Sequence, residues 1–365
     1  MSRRFGVWYS WMQSLAKAGP WPDEAQWDKL RCDDFAIIGK ASERSGYIGL
    51  VYADGNAMGR LVQELDAAET CQSFSDLVDS SIRNACFHAL EAVLKSEVDA
   101  IRRSVASGLR PKPVPADILL LGGDDLMVVL PADRALSFAL TISEHFERLT
   151  QEAIAKQSGA CRKFFQDRLK DRGLTISCGV AVGRANYPFY LLLNLAEELL
   201  QNAKRAGHAA RQKEDLYAMP SFLDFHVVAG AASHELKHVR EDDYFTETKQ
   251  SRTLRPLSHG QLLALQQAVA QLRSVRFPRS KLHDLFEAAL DPSPSGAEHR
   301  LREIFSRCRD TERQPERWSL WQAVAQMSPR HDVSNFPWLD QADKRITPIA
   351  DLVEAYDLFP SKEEA

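Results

Sequence analysis

The sequence has no Cys-x-x-Cys pair; its six cysteines, Cys32, Cys71, Cys86, Cys161, Cys178 and Cys308, are scattered along the chain. That removes the usual thiol-pair signature of metal or redox work, and the cysteines read as reduced, buried thiols of a cytoplasmic protein. No apolar run approaches a membrane span, so no membrane partner is expected. The N-terminus, M-S-R-R-F-G-V-W-Y-S-W-M-Q, has early arginines but no sustained apolar core and does not read as a signal peptide. A net charge of -4 argues against an indiscriminate nucleic-acid coat, while leaving room for local basic patches. There is no internal repeat and no low-complexity tract. What is present is ordinary globular composition, 44% hydrophobic and 26% charged, over 365 residues, a length that suits about two domains.

The most informative feature is Gly122-Gly123-Asp124-Asp125, set between the apolar runs Asp117–Leu121 and Leu126–Leu130. A Gly-Gly pair between such runs reads as a tight hairpin, because glycine tolerates positive φ. The hairpin brings two carboxylates to the rim of a buried sheet, where they repel each other unless a cation binds. Hard divalent ions prefer carboxylate oxygens, which points to magnesium. A second strand, Tyr47–Ala53, ends in Asp54. Asp54, Asp124 and Asp125 at adjacent strand ends are what a two-metal nucleotidyl transfer site needs. The competing reading of the motif alone is a solvated acidic turn.

The organisation supports the first reading. After the strand comes a short helix through Leu61 and Leu65, then a longer one from about Phe74 to Ile101. The proline-rich break Gly108–Pro115 precedes the hairpin. A helix over Arg134–Lys156, a strand over Leu174–Val182, a helix over Pro188–Gly207 capped by Gly207, and a strand over Leu223–Ala229 complete the pattern. This order predicts an α+β fold: a palm-like, ferredoxin-related sheet with helices mainly on one face. The predicted divisions are a Trp-rich segment at 1–45, a palm at 46–230, an irregular connection at 231–258 and a small all-helical domain at 259–365. The segment 1–45 holds Trp8, Trp11, Trp21 and Trp27; these cap the protein's own core or form a partner surface.

Around the aspartates, A-D-G-N-A-M-G turns a strand into a helix. Gly55 and Gly59 let the backbone approach a phosphate, as a helix N-terminus also does. Asn56 can read a ribose or base edge, or serve as an ordinary helix cap. Ser177 can face a nucleotide, or bond to backbone within a core strand. Lys204 can reach a β- or γ-phosphate; with Arg205 it can equally be a cation suited to a helix C-terminus. His234-Glu235-Leu236-Lys237-His238 matches a zinc-protease signature, but its charged surroundings favour a surface turn. Arg162, Lys163, Arg168, Lys170 and Arg172 read as a solvated face, or as a patch for RNA or an acidic partner.

The stretches A-D-G-N-A-M-G at 53–59, L-G-G-D-D-L at 121–126, T-I-S-C-G-V-A at 175–181 and A-E-E-L-L-Q-N-A-K at 196–204 together resemble the second, cyclase-bearing palm of the large subunit of type III CRISPR effector complexes. D-F-H-V at 224–227 and R-T-L-R-P at 252–256 are also similar to that family, and the GGDEF diguanylate cyclases are a more distant likeness. The resemblance implies conversion of ATP into cyclic oligoadenylates that act as antiviral messengers. It implies metal ligation by Asp54, Asp124 and Asp125, with two Mg2+ (or Mn2+) ions per site. It implies nucleotide contacts from Gly55, Asn56, Gly59, Gly122, Gly123, Ser177 and Lys204. The implied partners are nucleoside triphosphates, CRISPR effector subunits and guide or target RNA; cyclisation also suggests two palms face to face, as in a homodimer. The family's nuclease region and zinc-binding cysteines are expected to be missing from this chain. The alternatives are an ATP-binding scaffold subunit with little activity alone, a cyclase using another purine triphosphate, and a templated polymerase.

Overall fold

The computed structural model describes residues 3–32, 34–65, 67–211, 215, 217–228, 250–291, 293–309, 311, 315–327, 339–341 and 344–360. The chain forms two units, Met1–Gly230 and Ala231–Glu363. The Trp-rich segment therefore belongs to the same unit as the palm. In it, helix α1 (Arg3–Lys17) and a 3-10 turn (Glu24–Leu30) lead to α2 (Phe35–Lys40). All four tryptophans are buried. The indole of Trp8 donates to Trp27 O at 3.1 Å and that of Trp27 to Pro22 O at 2.8 Å, so the segment caps its own core.

The palm proper begins at β1 (Tyr47–Gly55) and continues through α3 (Met58–Gln63), α4 (Ala68–Val93) and α5 (Lys95–Ala106). The expected single long helix is two, because Leu94 leaves helical geometry with φ -111 and ψ 24. Strands β2 (Asp117–Gly122) and β3 (Asp125–Pro131) form the hairpin. Then follow α6 (Ala132–Ala155), α7 (Gly159–Leu169), β4 (Ile176–Arg184), α8 (Phe189–Ala210) and β5 (Phe222–Val227). Within this unit the strand order is β2-β3-β1-β4-β5. The β2–β3, β3–β1 and β1–β4 pairs are antiparallel and β4–β5 is parallel. The central strands are near-continuous apolar runs because helices cover both faces.

That last point corrects the expectation of helices mainly on one face. Gly49 and Tyr52 lie three apart on β1 and so point to opposite faces. A Cβ on Gly49 would meet the Ala135 methyl of α6 at 2.4 Å. A Cβ on Gly179, the β4 partner of Tyr52, would meet Ala196 O of α8 at 2.2 Å. Helix α6, with α4 packed along it, takes one face and α8 the other. Gly207 is also corrected. It does not cap α8 but lies inside it, where a Cβ would sit 3.1 Å from Pro220 O. The close approach of the following segment is what calls for glycine there.

The second unit is mainly helical, with helices over His259–Ser274, Arg279–Ala289, Pro294–Arg307, Glu316–Met327 and Ile349–Ala355. Ser258 and Gln261 form a capping box at the first of these. The unit is not all-helical, however. Gln250–Ser251, Lys344–Ile346 and Leu339–Gln341 make a small three-stranded sheet. The R-T-L-R-P stretch is riveted to the last helix: the buried Arg255 guanidinium pairs with Asp351 at 2.8 Å and Glu354 at 2.7 Å. Leu254 N donates to the same Asp351 at 2.7 Å, so the buried carboxylate is fully engaged. Removing one partner of such a group leaves the other charge uncompensated. The His234–His238 motif and most of the expected irregular connection lie outside the described residues. No described helix is long and apolar enough to cross a membrane.

Candidate active site

The hairpin turn is tighter than the motif suggests. Gly122 pairs with Asp125, so the two turn residues are Gly123 and Asp124. Gly123 has φ 64, the glycine-first pattern that a type II′ turn requires. Asp124 O accepts from Gly55 N at 3.2 Å, which ties the turn to the end of β1. Across β1 and β3, Asp54 stands opposite Asp125, and across β1 and β4 it stands opposite Ser177. All three side chains share the face that α8 covers. Asp54 and Asp125 are thus cross-strand partners, and Asp124 adjoins them in the turn.

Gly55 is required sterically. A Cβ there would lie 2.6 Å from Met58 Cε and 2.9 Å from Asp124 Cβ. Cβ positions at Gly59, Gly122 and Gly123 meet nothing within 4 Å, so those glycines are not enforced by crowding. The next turn residue, Ala57, holds φ 60 and ψ 11 without being glycine, a conformation that costs about 1 kcal/mol and persists only when its surroundings fix it.

Lys204 extends from α8 to the carboxylates. Its ammonium donates to Asp54 Oδ2, and to Gly55 O at 3.2 Å. A cleft of about 290 Å³ opens here, lined by Asp54 and Asp124 together with Arg60, Lys204, His208 and Met219. Arg60, His208 and Met219 were not picked out from sequence. His208 lies four residues after Lys204 on one helix face, which is a readable signal. Met219 gives no local signal.

Asn56 and Ser177 sit behind this cleft. Asn56 is 3% exposed and Ser177 fully buried. Ser177 Oγ donates to Asn56 Oδ1 at 2.9 Å, and Asn56 Nδ2 donates to Thr175 Oγ1 at 3.0 Å. The three arginines of the basic cluster make ion pairs within the fold. Arg162 pairs with Asp171 at 2.7 Å, Arg168 with Glu64 at 3.0 Å, and Arg172 with Asp215 at 2.5 Å.

The electrostatics fit a cation site. Burial first, then the neighbouring Asp54 charge, pushes the Asp124 carboxyl up to about 6. Burial and Asp54 also raise Asp125, against the lowering effect of Lys204. The Tyr52 hydroxyl on the same face is raised by burial and then by Asp125 and Glu197. Among the described residues no three His, Cys, Asp or Glu side chains converge as a ready-made cage. Magnesium does not need one, since it takes one or two carboxylates and completes its shell with substrate phosphates and water.

The raised Asp124 carboxyl has a consequence for stability. In the unfolded chain an aspartate loses its proton near pH 4; in the fold it keeps it to about 6. The stability penalty is therefore absent below about pH 4, grows between about 4 and 6, and is complete above. Without divalent cations, Asp124→Asn should melt at a higher temperature than wild type at pH 7.5 and at nearly the same temperature at pH 4. A difference independent of pH in thermal denaturation would contradict this.

Residues 47–213 match the family model described as Cas10/Cmr2, second palm domain. A search of curated proteins found no match. Among solved structures, Csm1 from T.onnurineus superposes with a TM-score of 0.51 at 15% identity, over 89% of this chain and 39% of that one. The Csm1-Csm4 cassette in complex with cA4 gives a TM-score of 0.45 at 17% identity, over 80% and 38%. The same cassette with one ATP gives 0.41 at 17%, over 80% and 37%. This chain spans well under half the length of those Csm1 chains, and at such identity the likeness is one of fold. The family match therefore falls on the segment that carries strands β1 to β4 and the three aspartates, residues 47–213.

Proposed function

We propose that this chain is a magnesium-dependent nucleotidyltransferase that joins ATP into cyclic oligoadenylate messengers of a CRISPR-type antiviral defence. The observation that carries the reading is the placement of Asp54 opposite Asp125, with Asp124 in the adjoining turn and Lys204 on Asp54, at one end of the palm sheet. The match of residues 47–213 to the second palm domain model supports ATP as substrate and a cyclic product. Effector subunits, guide or target RNA and a facing second palm are proposed partners.

Two Mg2+ ions, or Mn2+ in their place, would neutralise charge on the reacting phosphate and lower the pKa of the attacking ribose hydroxyl. Asp54, Asp124 and Asp125 would hold them. Phosphoryl transfer otherwise asks for positioning and electrostatics rather than covalent help. Lys204 supplies a point charge to the triphosphate. Gly55 and Gly59 admit phosphate close to the backbone. Gly122 and Gly123 close the turn that sets Asp124 beside Asp54.

The Lys204 contact with Asp54 favours a second reading, an ATP-binding scaffold subunit, because it already neutralises one carboxylate. Pyrophosphate release from ATP and magnesium by the purified chain separates the two. The enzyme reading predicts release that chelation abolishes. Tight ATP binding with no pyrophosphate in any partner state favours the scaffold.

A further inference from the structure

Behind the cleft runs a continuous hydrogen-bonded chain whose direction the terminal acceptor sets. Thr175 Oγ1 donates to the Met219 carbonyl at 2.6 Å. Having given its only proton, that hydroxyl must accept from its other neighbour, Asn56 Nδ2, at 3.0 Å. Asn56 then presents Oδ1 to the Ser177 hydroxyl at 2.9 Å. The backbone adds a parallel link, Asn56 N to Thr175 O at 2.8 Å. Asn56 is therefore gripped by three bonds, two of them donated to Thr175 and one accepted from Ser177.

Two members of this chain adjoin the cleft, Asn56 through its neighbours Gly55 and Ala57, and Met219 directly. Asn56 lies between Gly55, which only glycine can occupy, and Ala57, held at φ 60. Met219 lines the same cleft. Its segment is fastened independently. The Asp215 carboxylate accepts from Tyr217 N and Ala218 N, each at 3.2 Å, and the Tyr217 hydroxyl bonds Glu64. The Thr175 hydroxyl thus bonds both the turn after Asp54 and Met219. A buried polar chain of this kind is worth more satisfied than its separate bonds suggest, and losing one junction leaves partners unpaired.

We propose that Thr175 is a positioning residue of the nucleotide site: its hydroxyl sets the spacing between the Asp54–Ala57 turn and Met219, and with it the width of the cleft. This rests on the cleft being a nucleotide site. Thr175 does not touch the nucleotide on this account. It acts through Asn56 and Met219.

The test is calorimetric titration of the full chain with ATP and magnesium, alongside thermal melting. Thr175→Val keeps the branched shape and removes the hydroxyl. It is expected to weaken ATP binding about tenfold, the effect of two modest hydrogen bonds, with the melting temperature lowered only slightly. Thr175→Ser restores the hydroxyl and should bind within about twofold of wild type. A purely structural role would lower the melting temperature without changing affinity in the folded protein, and without rescue by serine. If Thr175→Val does not fold, Thr175→Cys makes the same comparison with a weaker donor. Wild-type binding with unchanged affinity in the valine or cysteine variant overturns the positioning role alone. No ATP binding by wild type overturns the nucleotide-site reading and this role with it.

Discussion

Replacing Asp124 and Asp125 together with alanine is expected to lower turnover of ATP by about 10^3-fold or more, the scale on which loss of preorganised electrostatic stabilisation is felt. The same variant should fold normally and melt no lower than wild type. Both results follow from one fact. The two carboxylates are partly buried beside Asp54, and their protons are held more tightly than in water because burial and mutual repulsion disfavour the charges. Groups that cost the apo fold stability yet sit together at a sheet edge are candidates for function rather than structure. Turnover within about tenfold of wild type, far short of the loss expected for a charge-stabilising group, would remove the aspartates from the mechanism. Circular dichroism and thermal melting of the same variant check the fold.

The second large effect concerns a residue with no side chain. Gly179→Ala places a methyl carbon 2.2 Å from Ala196 O and 2.5 Å from Leu200 N. Both are backbone atoms of α8, so the clash cannot be relieved by a rotamer change. Either the helix lifts from β4 or the strand bends. Overpacking of this kind costs about 3 kcal/mol or more. Lys204 stands four residues beyond Leu200 on the same helix, so its contact with Asp54 is displaced as well. The expected outcome is a markedly lower melting temperature and a loss of turnover in whatever fraction folds. Gly59→Ala is the contrast: a Cβ there meets nothing within 4 Å, and its melting temperature should match wild type or rise slightly, as alanine favours helix. Equal melting temperatures for Gly179→Ala and wild type would contradict the close packing of α8 on β4.

Much of the palm was legible because its signals are local. The runs at Tyr47–Ala53 and Leu126–Leu130 are buried strands, and the glycine pair between apolar runs is a hairpin. The aspartates could be grouped because each sits at a strand end or in the turn joining strands. What was missed depends on contacts distant in sequence. Which face α8 covers is decided by Gly49 against Gly179, glycines that look alike until their helices are in place. Helix α7 was read as a run of basic residues, since its arginines Arg168 and Arg162 find their acids at Glu64 and Asp171. The short strands at 250–251, 339–341 and 344–346 are too brief to carry a period of two. Asn56 and Ser177 were singled out as candidate nucleotide contacts, with a core-strand serine as the alternative for Ser177; both are buried. Nothing local says that an amide and a hydroxyl 121 residues apart will bond each other. Thr175 was passed over for the same reason: its partners, Asn56 and Met219, lie 119 and 44 residues away.

The central claim is that these carboxylates serve a reaction joining nucleotides, and mass spectrometry of the products tests it most directly. The purified chain is incubated with each nucleoside triphosphate and magnesium, with and without chelator. The account predicts a series of cyclic oligoadenylates from ATP, released with pyrophosphate and absent when magnesium is chelated. A cyclic guanine or mixed product would keep the mechanism and change the base, a choice that one hydrogen-bonding position can switch. ATP bound but recovered intact, in the presence of effector subunits and RNA as well as alone, would contradict the account.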